Sequence, residues 1–206
     1  MSAVSRPPAG TSASQFFETW LPAAYAASER RAHAAGPIVR AELSGPGGGV
    51  WEVRADEDGL TVGAPTPQAG APDVLLRQTA ADFVAAFAGD PDLPEIMPPG
   101  ASPLDLLFLD PRDADLLRQV AGRILVEVEG RRRRRWSFDV AFAKAGIDAG
   151  RPRTTIRVDG ATFAGVTSGQ IPAVQPLMDG RIKIDGDRAL AMQVLLLLGT
   201  RLARRG

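Results

Sequence analysis

The chain has 206 residues, 45% of them hydrophobic and 23% charged, enough for one large core or two small ones. It contains no cysteine and one histidine, His33, which excludes disulfides, thiolate metal sites and a multi-histidine zinc site. The formal net charge is zero, yet residues 1–102 hold 6 basic and 12 acidic side chains while residues 103–206 hold 18 and 12, an asymmetry that lets the halves attract each other or orients the protein near a charged surface.

From the N-terminus, Met1 to Gly10 shows no basic segment followed by an apolar run, so no signal peptide is expected. Ala13 to Ala35 spaces Phe16, Trp20, Leu21 and Tyr25 as on a helix, with Ser12 or Ser14 as its cap; His33 falls on its surface. Val39, Ala41 and Leu43, then Trp51, Val53 and Ala55, alternate with period two on either side of Gly45–Gly49, which predicts a β-hairpin with one buried face. Asp73 to Gly89 reads as a third strand and a short helix stopped by Gly89. Residues 94–102, rich in proline, read as a linker.

Beyond the linker, Pro103–Leu109 and Asp113–Val120 predict two short helices, the second ended by Gly122. The earlier pattern then returns. At an offset of 85, Val39, Glu42, Gly45 and Trp51 superpose on Ile124, Glu127, Gly130 and Trp136. At an offset of 80, Arg77, Ala81, Phe83 and Gly89 superpose on Arg157, Ala161, Phe163 and Gly169. The second copy goes on to a strand with Ile182 and Ile184 on one face, an Asp185-Gly186-Asp187 turn with Asp187 as helix cap, and an apolar final helix. The first copy has no equivalent of that strand and helix. Its exposed strand edge needs a cover, and packing of the two units against each other supplies one.

The second copy resembles the sterol-carrier-protein-2 (SCP2) family. The resemblance is carried, in order, by Ile124–Val128, Trp136–Val140, Thr155–Val158, Ala161–Gly169 and the block Leu177 to Asp187 followed by Ala189–Met192. It implies an α+β fold, a mixed β-sheet with helices covering one face, here duplicated as two packed units. An incomplete unit, residues 12–93, lacks its last strand and helix; residues 103–206 form the complete one. It also implies a sterol, fatty acid or fatty acyl-coenzyme A as ligand, and lipid binding or lipid transport as function. Some members of the family act instead as dimerisation or accessory modules.

A lipid site needs apolar area and few directed groups. Each buried methylene contributes about 0.8 kcal/mol, so a twelve-carbon tail gains roughly 9 kcal/mol before ordering costs. The final helix, with Leu190, Met192 and Val194 to Leu198, is apolar nearly all round and must meet a ligand, the other unit or a second chain besides its own sheet. The ligand-binding candidates are Val126, Phe138, Phe163, Leu177, Met178, Ile182, Met192, Leu195 and Leu196; the alternative is that they are packed core.

Arg131, Arg132, Arg133, Arg134 and Arg135 are the strongest charge feature. They occupy the hairpin turn, where a solvated run costs little. They also suit steering toward an anionic head group or membrane. A nucleic-acid partner is not expected, because no reading helix or exposed aromatic platform accompanies them. Glu127 and Glu129 share an outward strand face and are expected to be solvated. No nucleophile–base pair, phosphate loop or calcium loop is present, so no catalytic residue, metal or cofactor is expected. The longest apolar stretch, Ala189 to Gly199, is too short to span a bilayer, and the chain ends Arg204-Arg205-Gly206 rather than in a peroxisomal address. The expectation is a cytoplasmic, non-catalytic lipid binder. The competing expectation is a scaffold that uses its apolar helix to contact a homodimer mate or another protein.

Overall fold

The computed structural model describes residues 6–28, 36–56, 58–66, 71–97, 111–143, 154–172 and 174–194. The predicted helix at 103–109, His33, Leu195 and Leu196 lie outside them.

The helical run at the N-terminus is built from α1 (Ala13–Gln15), a π turn (Phe16–Trp20) and α2 (Leu21–Ala27). Ser12 caps it through a reciprocal capping box with Gln15. The π turn has a local cause. Pro22 has no N–H to donate and its ring would strike the carbonyl one turn back, so the helix widens and Leu21 N–H bonds to Phe16 O.

Among the described residues eight strands follow: β1 (Val39–Ser44), β2 (Gly49–Asp56), β3 (Gly59–Gly63), β4 (Val74–Thr79), β5 (Ala121–Glu129), β6 (Arg135–Ala143), β7 (Thr154–Asp159) and β8 (Ile182–Gly186). They form one sheet in the order β3-β2-β1-β4-β6-β5-β7-β8. The fold is α+β. Period-two alternation gives the sheet a main apolar face, carrying Ala41, Leu43, Trp51 and Val53 in the first half and Ile124, Val128, Trp136, Ile156 and Ile182 in the second, while Leu75 and Ala141, paired across β4 and β6, are buried on the other face. Helices α3 (Ala80–Ala88), α5 (Gly160–Thr167), α6 (Val174–Met178) and the helical residues 188–194 contribute side chains to the same two clusters.

On the opposite face, arginines meet carboxylates across neighbouring strands: Arg40–Glu52 at 2.7 Å, Arg77–Glu42 at 2.8 Å, Arg157–Glu127 at 2.7 Å, and Arg123–Asp139. Each such pair stabilises the sheet by about 0.2–1 kcal/mol. Glu127, expected to be solvated, is instead held between Arg157 and Arg135 with 16% of its side chain exposed.

The two halves share a register. Val39 on β1 stands opposite Val74 on the parallel β4, and Ile124 on β5 stands opposite Thr154 on the parallel β7. These are the residues that the offsets of 85 and 80 superpose. β4 and β7 each turn directly into a helix whose cap side chain accepts the third N–H, from Asp82 to Thr79 at 3.0 Å and from Thr162 to Asp159 at 2.8 Å; the sequence reading of β4 as a third strand missed β3, which precedes it. The edge that β8 covers in the second half is covered in the first by β6. Ile156 pairs with Ile184, while Leu76 pairs with Val140 of β6. The halves therefore join edge to edge in one sheet, and no strand edge is left bare at the seam.

One glycine departs from its expected role. Gly122 does not stop a helix: α4 (Pro111–Gln119) ends earlier, and Gly122 lies inside β5 at φ 146°. A Cβ there would run into the Leu190 side chain, so the glycine lets residues 188–194 approach the strand.

Candidate functional site

The apolar layer of the second half brings together five of the nine ligand-binding candidates. Val126 on β5, Phe138 on β6, Phe163 on α5, Leu177 on α6 and Ile182 on β8 belong to one cluster. Ile182 is buried at 6% exposure, but Val126, Phe138, Phe163 and Leu177 are only partly covered. Trp136 supports them, with its ring 5.1 Å from Phe138 and 6.1 Å from Phe163. Met192 is half-buried on residues 188–194, two positions after Leu190, whose side chain closes on Gly122. Met178 is placed differently: at 82% exposure it projects from the C-terminal end of α6 into solvent, together with Val174 at 53%. A five-residue helix has room to turn only one side to the sheet, and Pro176 and Leu177 take that side.

Sequence reasoning missed part of the cluster. Ala85 and Ala86 of α3 pack against it from the first half, as do Leu93 and Ile96. Ile96 comes from the stretch expected as a linker, and Met97 beside it packs on the first cluster instead. The signal was weak: two isolated apolar residues among prolines show no period.

The arginine run divides into distinct roles. Residues 131–133 form a single 3-10 turn in which Arg132 and Arg133 take φ of 50° and 63°. Arg134 turns inward. It reaches Asp82 of α3 at 2.6 Å and Asp90 at 3.0 Å. Asp82 also accepts the Ser137 N–H at 3.3 Å, and its backbone oxygen accepts the Trp136 indole N–H at 2.7 Å. A single residue at the start of α3 thus fixes the first turn of β6. Arg135 pairs with Glu127 at 3.3 Å and Arg132 lies 3.8 Å from Asp92. The run was expected to be either a solvated turn or a steering patch; Arg134 is neither, and makes an internal contact instead, because burying Asp82 demands a cation. Arg131 and Arg133 are exposed and have no ion pair among the described residues.

Burial works against the charge of Arg134, but the hydrogen bonds and charges of Asp90 and Asp82 hold its pKa above the ordinary value. The Asp92 N–H, and then Arg134, hold the Asp90 carboxyl below the usual range. For Asp159, burial pushes upward, yet the Thr162 hydroxyl and backbone N–H bonds outweigh it and leave the pKa lowered. These are structural carboxylates. Among the described residues no group of three or more His, Asp or Glu could hold a metal ion, and no helix is long and apolar enough to cross a membrane.

Three solved structures are similar to this chain. The sterol carrier protein domain 2 of Helicoverpa armigera is 21% identical over 44% of this chain and 76% of its own, with a TM-score of 0.35. Sterol carrier protein 2 from Yarrowia lipolytica is 16% identical over 43% and 74%, with a TM-score of 0.34. Sterol carrier protein 2 like 2 from Aedes aegypti is 18% identical over 38% and 74%, with a TM-score of 0.27. No curated protein matches the chain. The family comparison is specific to the second half: residues 104–198 match the SCP-2 sterol transfer family, and they contain every one of the ligand-binding candidates.

Proposed function

We propose that the protein binds and transfers a hydrophobic ligand, a sterol, fatty acid or fatty acyl-coenzyme A, held between the second half of the sheet and the helices over it. The observation that carries the reading is the incomplete covering of Val126, Phe138, Phe163 and Leu177 in one apolar cluster, within a segment matching a lipid-transfer family. Apolar side chains left partly open in such a layer gain about 25 cal/mol for each Å² a guest removes from water. Leu195 and Leu196 extend the lining in this reading, and Met178 stands at its rim. Arg131 and Arg133 attract anionic head groups or an anionic membrane. The chain is a carrier in this reading, with no catalytic residue and no cofactor. It is a tandem of two related units, residues 12–93 and 103–206 joined by 94–102, in which β6 replaces the strand that the first unit lacks. The common register of Val39–Val74 and Ile124–Thr154 supports that descent.

Purified protein is weighed intact by native mass spectrometry and then titrated with a fluorescent sterol and a fluorescent fatty acid. A co-purified lipid, or saturable uptake weakened by Met192→Trp, is the expected result. Absence of both co-purified lipid and uptake would end the carrier reading. A second reading, a scaffold or accessory protein, is favoured by the exposed Val174 and Met178. It predicts self-association or partner capture that Met178→Asp abolishes while lipid uptake is unchanged.

A further inference from the structure

The apolar face of the sheet carries a polar group without a partner. Gln78 is the penultimate residue of β4 and stands opposite Leu43 of β1, which is 5% exposed in the first core. Val74, two alternations earlier on the same face, packs on the second core. The β4–β6 ladder runs to Arg77 opposite Asp139, and one step further Gln78 comes level with Phe138. Gln78 therefore lies at the seam of the two halves, in a row that runs through Leu43, Phe138, Val126, Ile156 and Ile184. Its Nε2 is buried and makes no hydrogen bond, and among the described residues no other buried side-chain nitrogen or oxygen shares that condition.

An orphaned amide is costly, and the fold does not require it. The equivalent position in the second half, at the offset of 80, is Val158, buried at 7% exposure in the same strand context. An amide where its counterpart has an isopropyl group points to something that the amide binds.

We infer that Gln78 is the polar anchor of the ligand site, donating from Nε2 to a neutral oxygen (a hydroxyl, or a ketone or ester carbonyl) on a hydrophobic molecule whose apolar body lies along Phe138 and Val126. This rests on the carrier reading above and names its ligand class. A neutral amide offers no countercharge for a carboxylate, and burying an ionised group without one is costly. The site selects a neutral amphiphile over an ionised fatty acid, and the ligand spans the seam toward the first half.

The test uses full-length protein, with dehydroergosterol, which carries one hydroxyl, and diphenylhexatriene, which has no hydrogen-bonding atom. Gln78→Met keeps the length of the side chain and removes the donor; Gln78→Val copies the second half. Gln78→Met is expected to weaken dehydroergosterol binding about five- to tenfold, the loss of one neutral hydrogen bond, and to leave diphenylhexatriene binding unchanged. Both variants are expected to melt at or above the temperature of the unliganded parent. Equal binding of dehydroergosterol by parent and Gln78→Met overturns the inference, as does an equal loss for both probes. Failure of the unaltered protein to take up either probe, with no co-purified lipid, overturns the carrier reading itself and the inference with it.

Discussion

Arg134, in the turn of the second half, lies 2.6 Å from Asp82, at the first turn of the helix that closes the first half. The carboxylate keeps only 8% of its side chain exposed, and the guanidinium 29%. Removing the cation strands a buried anion, which retains only the Ser137 N–H and the helix N-terminus. Arg134→Ala is expected to cost about 1–3 kcal/mol of stability, less than a fully buried pair because the guanidinium is partly hydrated. Arg131→Ala and Arg133→Ala stay within about 0.5 kcal/mol. Urea denaturation of the three variants checks the ranking. Equal midpoints for all three would mean that the Arg134–Asp82 contact contributes nothing.

Acid should loosen the same junction. Asp90 and Asp159 have folded pKa values below their ordinary 3.8. A depressed carboxylate stabilises the fold fully above the unfolded value, and that contribution is lost as pH falls through the folded one. Asp90→Asn is therefore expected to lower the urea midpoint at pH 6 and to lose its effect on acidification below about 3.8. A deficit that persists unchanged to pH 2.5 would show that the asparagine disturbs something other than the ionised contact with Arg134 and the Asp92 N–H.

Gly122 and Leu190 form a steric pair that can be tested by a cycle. Gly122→Ala meets both an unsuitable φ of 146° and the Leu190 side chain. A loss of about 2 kcal/mol or more is expected. Leu190→Ala alone opens a cavity and costs about 2–5 kcal/mol. In the double variant the new methyl enters the space that leucine left, so the total loss is smaller than the two added together. Strict additivity would show that the backbone angle alone, and not the helix at 188–194, requires glycine.

These particular contacts explain what could be read from the sequence. Trp51, Val53 and Ala55, like Trp136, Phe138 and Val140, announce their strand because a half-buried strand repeats every second residue. The offsets of 85 and 80 relate the two halves residue by residue but leave the parallel pairing of β1 with β4 and of β5 with β7 unread, because partners 30 or more positions apart have no local signal. Val126, Phe138 and Ile182 are legible as one layer for the same reason, whereas Phe163 and Leu177 lie on short helices and were reached through the family resemblance. Arg134 is not legible, since nothing local separates it from its four neighbours; its partner lies 52 positions earlier. The pairing of β6 with β4 is long-range and has no local period. Met178 reads as lining because hydrophobicity gives no direction in a helix of five residues.

The seam makes one further demand, on cooperativity. Two apolar clusters with separate aromatic centres suggest two domains, yet they share more than a boundary. β4 and β6 are paired over Val74–Arg77 and Phe142–Asp139. Asp82 holds Arg134, Ser137 and Trp136 of the other half. Ile96 enters the second cluster while the adjacent Met97 enters the first. Unfolding the first half alone would bare the β6 edge and strand Arg134, which adds a cost to any half-folded species. The halves are therefore expected to unfold together. Single-tryptophan variants retaining Trp51 or Trp136 report on each cluster separately, after correction for the stability each substitution removes. Coincident urea transitions are the expected outcome. A Trp136 transition well separated from that of Trp51, with a plateau between, would show that the sheet is continuous in geometry but divided in energy.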